Sequence, residues 1–192
     1  MMKKLNAMVL VLTTVLALFA GCGKTEPAET VPAQEMPASA LEILETVWAD
    51  YAEEEKFSII GGNIEANIMD APGNYDMTYA ENMAYNLLVP TDRIADVTEA
   101  ASMIHMMNAN TFTCGVFKLA DGVTAADFGA AMQQSIQNNQ WICGFPDRLL
   151  IQSFGDTYVV AAFGVEDAMT PFENHMKAVY PSFETLYSES IA

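Results

Sequence analysis

The sequence predicts an α+β fold: a two-layer domain in which an antiparallel four-stranded sheet, in ββαββα order, carries its helices on one face. Three observations lead there. Two β-hairpin signals recur about 50 residues apart. Each is followed by a helix start with a hydroxyl residue three positions before an acid. The helices that follow repeat their apolar residues at helical spacing.

The elements follow in chain order. Ser39-Ala-Leu-Glu42 fits a capping box, in which a hydroxyl accepts from a free backbone N–H and an acid reaches back. The helix it opens, over 40–54, would bury Leu41, Leu44, Trp48 and Tyr51 and fade into "EEEK". Thr78-Tyr-Ala-Glu81 predicts a second helix over 79–88, and these two helices would cover an end or the same face of the sheet. The segment between them, "FSIIGGNIEANIMDAPGNYDM", shows no clear period.

From about residue 98 the pattern is plain. "ASMIHMM" and "TFTCGVFKL" flank "NAN", whose asparagines tolerate positive φ. Ala120-Asp121-Gly122 is a turn, and Thr124-Ala-Ala-Asp127 starts a helix burying Phe128, Met132 and Ile136. "RLLIQSF" and "TYVVAAF" flank Gly155-Asp156, a two-residue hairpin signal. Thr170-Pro-Phe-Glu173 would open the last helix, with Pro171 at its first position, burying Phe172, Met176 and Val179 and stopping before Pro181.

The first residues carry an address. Lys3 and Lys4 precede an apolar stretch from Leu5 to Ala20, too short for the roughly 18–20 residues of a spanning helix. It ends in "LFAGC", which resembles a bacterial lipobox. That resemblance implies diacylglycerol on the Cys22 thiol, cleavage before it, and a protein anchored by lipid on the extracytoplasmic face of the cell membrane. Each buried lipid methylene contributes about 0.8 kcal/mol, so two or three acyl chains hold where one would not. The domain organisation is then a lipoprotein signal peptide over 1–21, a lipidated cysteine and Pro-rich tether over 22–38, a single α+β domain over 39–182 and a tail over 183–192. The tether carries Pro27, Pro32 and Pro37 at five-residue spacing and no apolar period.

The chain has 8 basic and 25 acidic residues, a net charge of −17. Such a surface repels nucleic acid and anionic headgroups, so no nucleic-acid partner is expected and attachment must come from lipid. It favours cationic partners or divalent ions, or serves solubility outside the cell.

Chemistry-bearing residues are few. Beyond Cys22 the cysteines are Cys114 and Cys143, one in a strand and one just after the next helix. In an exported chain they are candidates for a disulfide closing a 29-residue separation, or for two free thiols. A C-x-x-C pair is missing, so the thioredoxin arrangement is not present. Met103, His105 and Met107 share one strand face by period two, a soft donor set suited to Cu(I), although methionine also fills irregular cores. His175 reads as a surface histidine. The sequence has no G-x-S-x-G, no H-E-x-x-H and no phosphate-binding glycine loop, so neither an enzymatic role, nor a resident cofactor, nor a metal is expected. "NQWICGFPD" places Trp141, Ile142 and Phe145 in a loop; such a loop either plugs the core or offers a binding patch. Trp141, Ile142 and Phe145, with Met103, His105 and Met107, form the candidate binding surface.

"AASMIHMMNANTFT", "QWICGFPD" and a valine-rich strand ending "AAFG" resemble small clostridial-type lipoproteins often labelled bacteriocin transport accessory protein. The order of elements is also similar to a broader family of small lipoproteins carrying a domain of unknown function. The resemblance spans roughly residues 40–180 and implies no catalytic residues, because that family has no established activity. Better-known proteins of that label resemble thioredoxin, whose C-x-x-C this chain lacks. Together these features predict a non-enzymatic binding or accessory protein with an envelope protein as partner. The rival is a thiol-redox or soft-metal-handling protein using Cys114, Cys143 and the Met103/His105/Met107 strand.

Overall fold

A computed structural model describes residues 35–107 and 111–191. The signal segment, Cys22 and most of the tether lie outside the described residues.

Helix α1, Ala40–Asp50, begins where the capping signal places it. Ser39 Oγ accepts from the Glu42 N–H at 3.0 Å, and the Glu42 carboxylate accepts from the Ala38 N–H at 2.6 Å. Its buried stripe runs through Ala40, Ile43, Leu44, Val47 and Trp48, so Leu41 is only partly covered. The segment without a period forms three very short strands: β1 (Ile59–Gly61), β2 (Ile68–Met69) and β3 (Gly73–Asn74). The helix expected over 79–88 is mostly a 3-10 turn, Met77–Asn82, followed by one α-turn, α2 (Met83–Asn86). Asp76 rather than Thr78 caps it: Asp76 Oδ1 accepts from the Thr78 N–H at 2.9 Å.

Then come β4 (Val97–His105), β5 (Phe112–Leu119), α3 (Ala125–Gln137), β6 (Arg148–Phe154), β7 (Tyr158–Gly164), α4 (Glu166–Val179) and β8 (Glu184–Ser190). Phe128, Met132 and Ile136 are buried as the spacing predicts. Gly155 takes φ +51 between β6 and β7, where Phe154 pairs with Tyr158. The last helix starts at Glu166, five residues before the Pro171 that the Thr170 cap predicts as its first position. Asp147 Oδ2 accepts from the Glu166 N–H at 2.8 Å, a cap supplied from a distant loop and invisible to local spacing, and Pro171 lies inside the helix.

The α+β class holds, but the four-stranded sheet with helices on one face does not. The sheet has eight antiparallel strands, ordered β2-β1-β4-β5-β7-β6-β8, with β3 paired to β4. The additional strands escape a periodicity reading because β1 to β3 are two or three residues long. Strand β8, in the stretch expected as a tail, is a polar edge strand on β6. Its glutamates suit an edge that must not recruit other strands.

The helices lie on both faces. Helices α1 and α4 pack with Met103, Phe112, Cys114 and Val160 in one core; α3 and the α2 region pack with Phe117, Ile151, Val159 and Phe163 in the other. The physical reason is the chain's path. Strands β5 and β6 run parallel with β7 between them, and β7 and β8 run parallel with β6 between them. Both connections step the same way across the sheet, but β5 and β7 point oppositely. Right-handed crossovers are strongly preferred, and two of opposite strand direction need helices on opposite faces. A sheet covered twice has strands buried along their whole length, and every residue of β7 is buried.

Candidate binding cleft

One end of the sheet gathers the end of β4 at His105, the start of β5 at Phe112, the end of β7 at Gly164 and the start of β6 at Arg148, with the start of β1 and the end of β8 beside them. Helix α3 ends there too, and its C-terminus leads into the loop 138–147. Asp147 pins the far side of that loop. Its N–H donates to Gly164 O and its carbonyl accepts from the Ile191 N–H, both at 2.9 Å. Gly144, at φ +79, supplies a turn that a side chain would strain.

Between this loop, the β4–β5 end and the α2 region lies a cleft of 250 Å³. Trp141, Ile104, Leu88, Tyr85 and Phe163 give it apolar walls. Asn86, Asn139, Thr113, His105 and Cys143 add polar atoms, and among the described residues no Asp, Glu, Lys or Arg lines it. Trp141 is half-buried, its ring 5.4 Å from that of Phe163. Its indole Nε1 is buried and has no hydrogen-bond partner among the described residues. Such a donor is costly unless something accepts from it. Around the mouth, Ile142 is 85% exposed, Tyr85 84%, Phe145 66% and Met107 60%.

The structure sorts the predicted site residues. Trp141, Met107, His105 and Cys143 border one cleft, while Ile142 and Phe145 stand out from the loop beside it. Met103 does not join them, because it is fully buried in the α1/α4 core. His105 turns its ring to that same side and stacks on Phe57 at 4.8 Å. Its Nδ1 accepts from the Met107 N–H at 2.9 Å, which places the neutral ring's proton on Nε2. Burial lowers its pKa.

The Cys114–Cys143 disulfide is not formed: both thiols are free. Cys114 is buried in the α1/α4 core, where burial pushes its pKa up, and Cys143 is exposed at the cleft on the α3 side. The sheet therefore separates Cys143 from Cys114, while Met103 and the His105 ring stay on the side of Cys114. Among the described residues no three His, Cys, Asp or Glu side chains converge to hold a metal ion. None of the helices among them is long and apolar enough to cross a membrane.

Sequence reasoning missed Tyr85, Asn86 and Leu88, which it placed in a helix. The signal that could have found them is weak: a Leu-Leu-Val-Pro run that cannot continue a helix into Pro90. Leu88 sits at φ +57, unusual for a branched side chain, and its carbonyl accepts from Ser135 Oγ at 2.6 Å. The Ser135 bond and packing on Met132 and Ile136 hold this cleft wall to α3.

No family model, curated protein or solved structure matches this chain.

Proposed function

We propose that this chain is a lipoprotein tethered through Cys22 on the extracytoplasmic face of the cell membrane, and that its domain acts as a non-enzymatic binding or accessory protein of the envelope. The cleft at Trp141 is its ligand site. The observation that carries this reading is the contrast between the cleft and the rest of the domain. The hollow has no Asp, Glu, Lys or Arg among its described lining residues in an otherwise acidic chain, and large apolar side chains stand exposed beside it. The "LFAGC" sequence and the resemblance to small clostridial-type lipoproteins support the location.

The test of the site uses N-acetyl-tryptophan amide as a neutral aromatic probe. Its titration is expected to shift the NMR signals of the Trp141 indole N–H and the Ile104 methyls and to leave those of Trp48 unchanged. Equal shifts at both tryptophans, or none, defeat the site. The test of the location is Cys22→Ser, which is expected to abolish acylation and membrane retention. A Ser variant that is still processed, acylated and retained contradicts the anchor.

A further inference from the structure

We infer that the ligand of the Trp141 cleft is a neutral saccharide, held by the carboxamides at the end of α3 with a sugar ring against Tyr85. This rests on the reading of the cleft as the ligand site, and it names the ligand's class.

The wall formed by the end of α3 has its own composition. No Asp, Glu, Lys or Arg stands between Asp127 and Asp147, although the chain holds 25 acids. Instead, six carboxamides fall in the eight residues 133–140. The fold uses two of them: Gln133 and Gln137 both donate to Glu189 of β8, at 2.8 and 3.3 Å. The side chains of the other four, Gln134, Asn138, Asn139 and Gln140, make no hydrogen bond among the described residues.

These four face one place. Asn139 lines the 250 Å³ cleft and also a wider hollow of 690 Å³ between α3 and the turn at Pro90, so the two hollows share a wall. Gln134, Asn138 and Gln140 line the wider one. Asn86 and Thr113 add polar atoms to the cleft, where Tyr85 stands exposed. The charged residues at the wider hollow are Asp92 and Arg93, and Arg93 Nε pairs with Asp96 at 2.7 Å.

A carboxamide carries donors and an acceptor in one neutral group, as a hydroxyl does, whereas ammonium and guanidinium only donate and a carboxylate only accepts. A wall of free carboxamides therefore suits a ligand that donates and accepts along its length and bears no charge. The negative face of an aromatic ring attracts the polarised C–H bonds on the flat side of a pyranose, and Tyr85 offers such a face. An anionic ligand would meet only Arg93, already paired, in a chain of net charge −17. An extended peptide would need a strand edge for its backbone, and the end strands β2 and β8 do not line the cleft.

The experiment uses the full chain in nanodiscs of neutral lipid, titrated calorimetrically with maltotriose, cellotriose and triacetylchitotriose. Trigalacturonic acid is the charged control, and acetyl-Ser-Gly-Ser-Gly-Ser-Gly-amide is the neutral peptide control. At least one neutral trisaccharide is expected to bind with an affinity that salt does not change, and to displace N-acetyl-tryptophan amide from the cleft. Neither control is expected to bind. The double variant Tyr85→Ala, Asn139→Ala is expected to keep its Tm, because neither side chain belongs to a core, and to weaken trisaccharide binding at least about tenfold. Gln140→Ala, at an exposed position, is a milder second variant, expected to weaken it at least about twofold. Binding that both variants leave undiminished places the sugar elsewhere and overturns the inference. If the peptide binds as tightly as any trisaccharide, the cleft takes a polypeptide and the inference falls. Tighter binding of trigalacturonic acid than of the neutral sugars overturns it as well. It falls too if no trisaccharide binds, and the N-acetyl-tryptophan amide titration then still reports the cleft by itself.

Discussion

Trp141 and Ile142 are adjacent and physically opposite. Trp141 is packed on Phe163, whereas Ile142 points out. Trp141→Ala is therefore expected to cost about 1–3 kcal/mol, and Ile142→Ser to stay within about 0.5 kcal/mol, in denaturant titrations. Equal costs would mean the loop is seated differently. The thiols divide the same way. In the native chain Cys143 is expected to react with Ellman's reagent promptly and Cys114 only after unfolding, because burial holds it as the inert thiol. A native chain in which neither reacts would point to a bridge. His105 gives a pH test. Burial lowers its folded pKa below the ordinary value of about 6.5, so on acidification the unfolded chain takes a proton that the folded chain resists. Stability falls as pH drops through about 6.5 and the penalty is complete below the folded value. His105→Gln is expected to lose less Tm than wild type between pH 7.5 and 5. Parallel curves would dismiss the effect.

Elements are fastened by a few contacts that sequence spacing does not reveal. Gly61 and Gly73 bring β1 and β3 together so closely that a Cβ on Gly61 would lie 2.1 Å from the Gly73 nitrogen. Backbone cannot retreat as a side chain can, so Gly61→Ala is expected to cost at least about 1–3 kcal/mol by thermal melting. A neutral result would mean that this edge is loosely held. Helix α4 is tied to α1 by His175, whose Nδ1 lies 2.7 Å from Asp50 and whose ring stacks on Tyr51 at 4.0 Å. The sequence reading left His175 on the surface because its partners are more than 120 residues away. Arg148 and Lys177 meet at Glu173; burial opposes ionisation of that carboxyl, but the two cations prevail and hold its pKa below the usual range. Its contribution is present above about pH 4.3 and is lost as pH falls through the lowered folded value. The Tm gap between wild type and Glu173→Gln is expected to close at low pH, and a gap that persists there would refute the assignment.

At the scale of the molecule, two cores lie on either side of one sheet, and excess negative charge surrounds both. Self-repulsion of like charges destabilises a compact state and is screened by salt. Raising sodium chloride from about 10 to 150 mM, where the Debye length shrinks from about 30 to 8 Å, is expected to raise Tm. A fall would mean that the paired cations outweigh the repulsion.

What the sequence by itself determined is what short range controls. The Ser39 and Thr124 caps, the Gly155 turn and the Phe128-Met132-Ile136 stripe depend on neighbours within a few residues, and each stands where spacing puts it. The acidic charge is composition alone. The tertiary structure decided the rest. Strand β8 is too polar to announce itself and forms only because β6 offers an edge. The cap of α4 comes from Asp147, nineteen residues away. The two-faced arrangement follows from β7 inserting between β5 and β6, a pairing order that no local pattern encodes. The same order carries the Trp141 loop to the end of β4 and leaves Met103 in the core while Met107 emerges, because the strand runs out of cover between them.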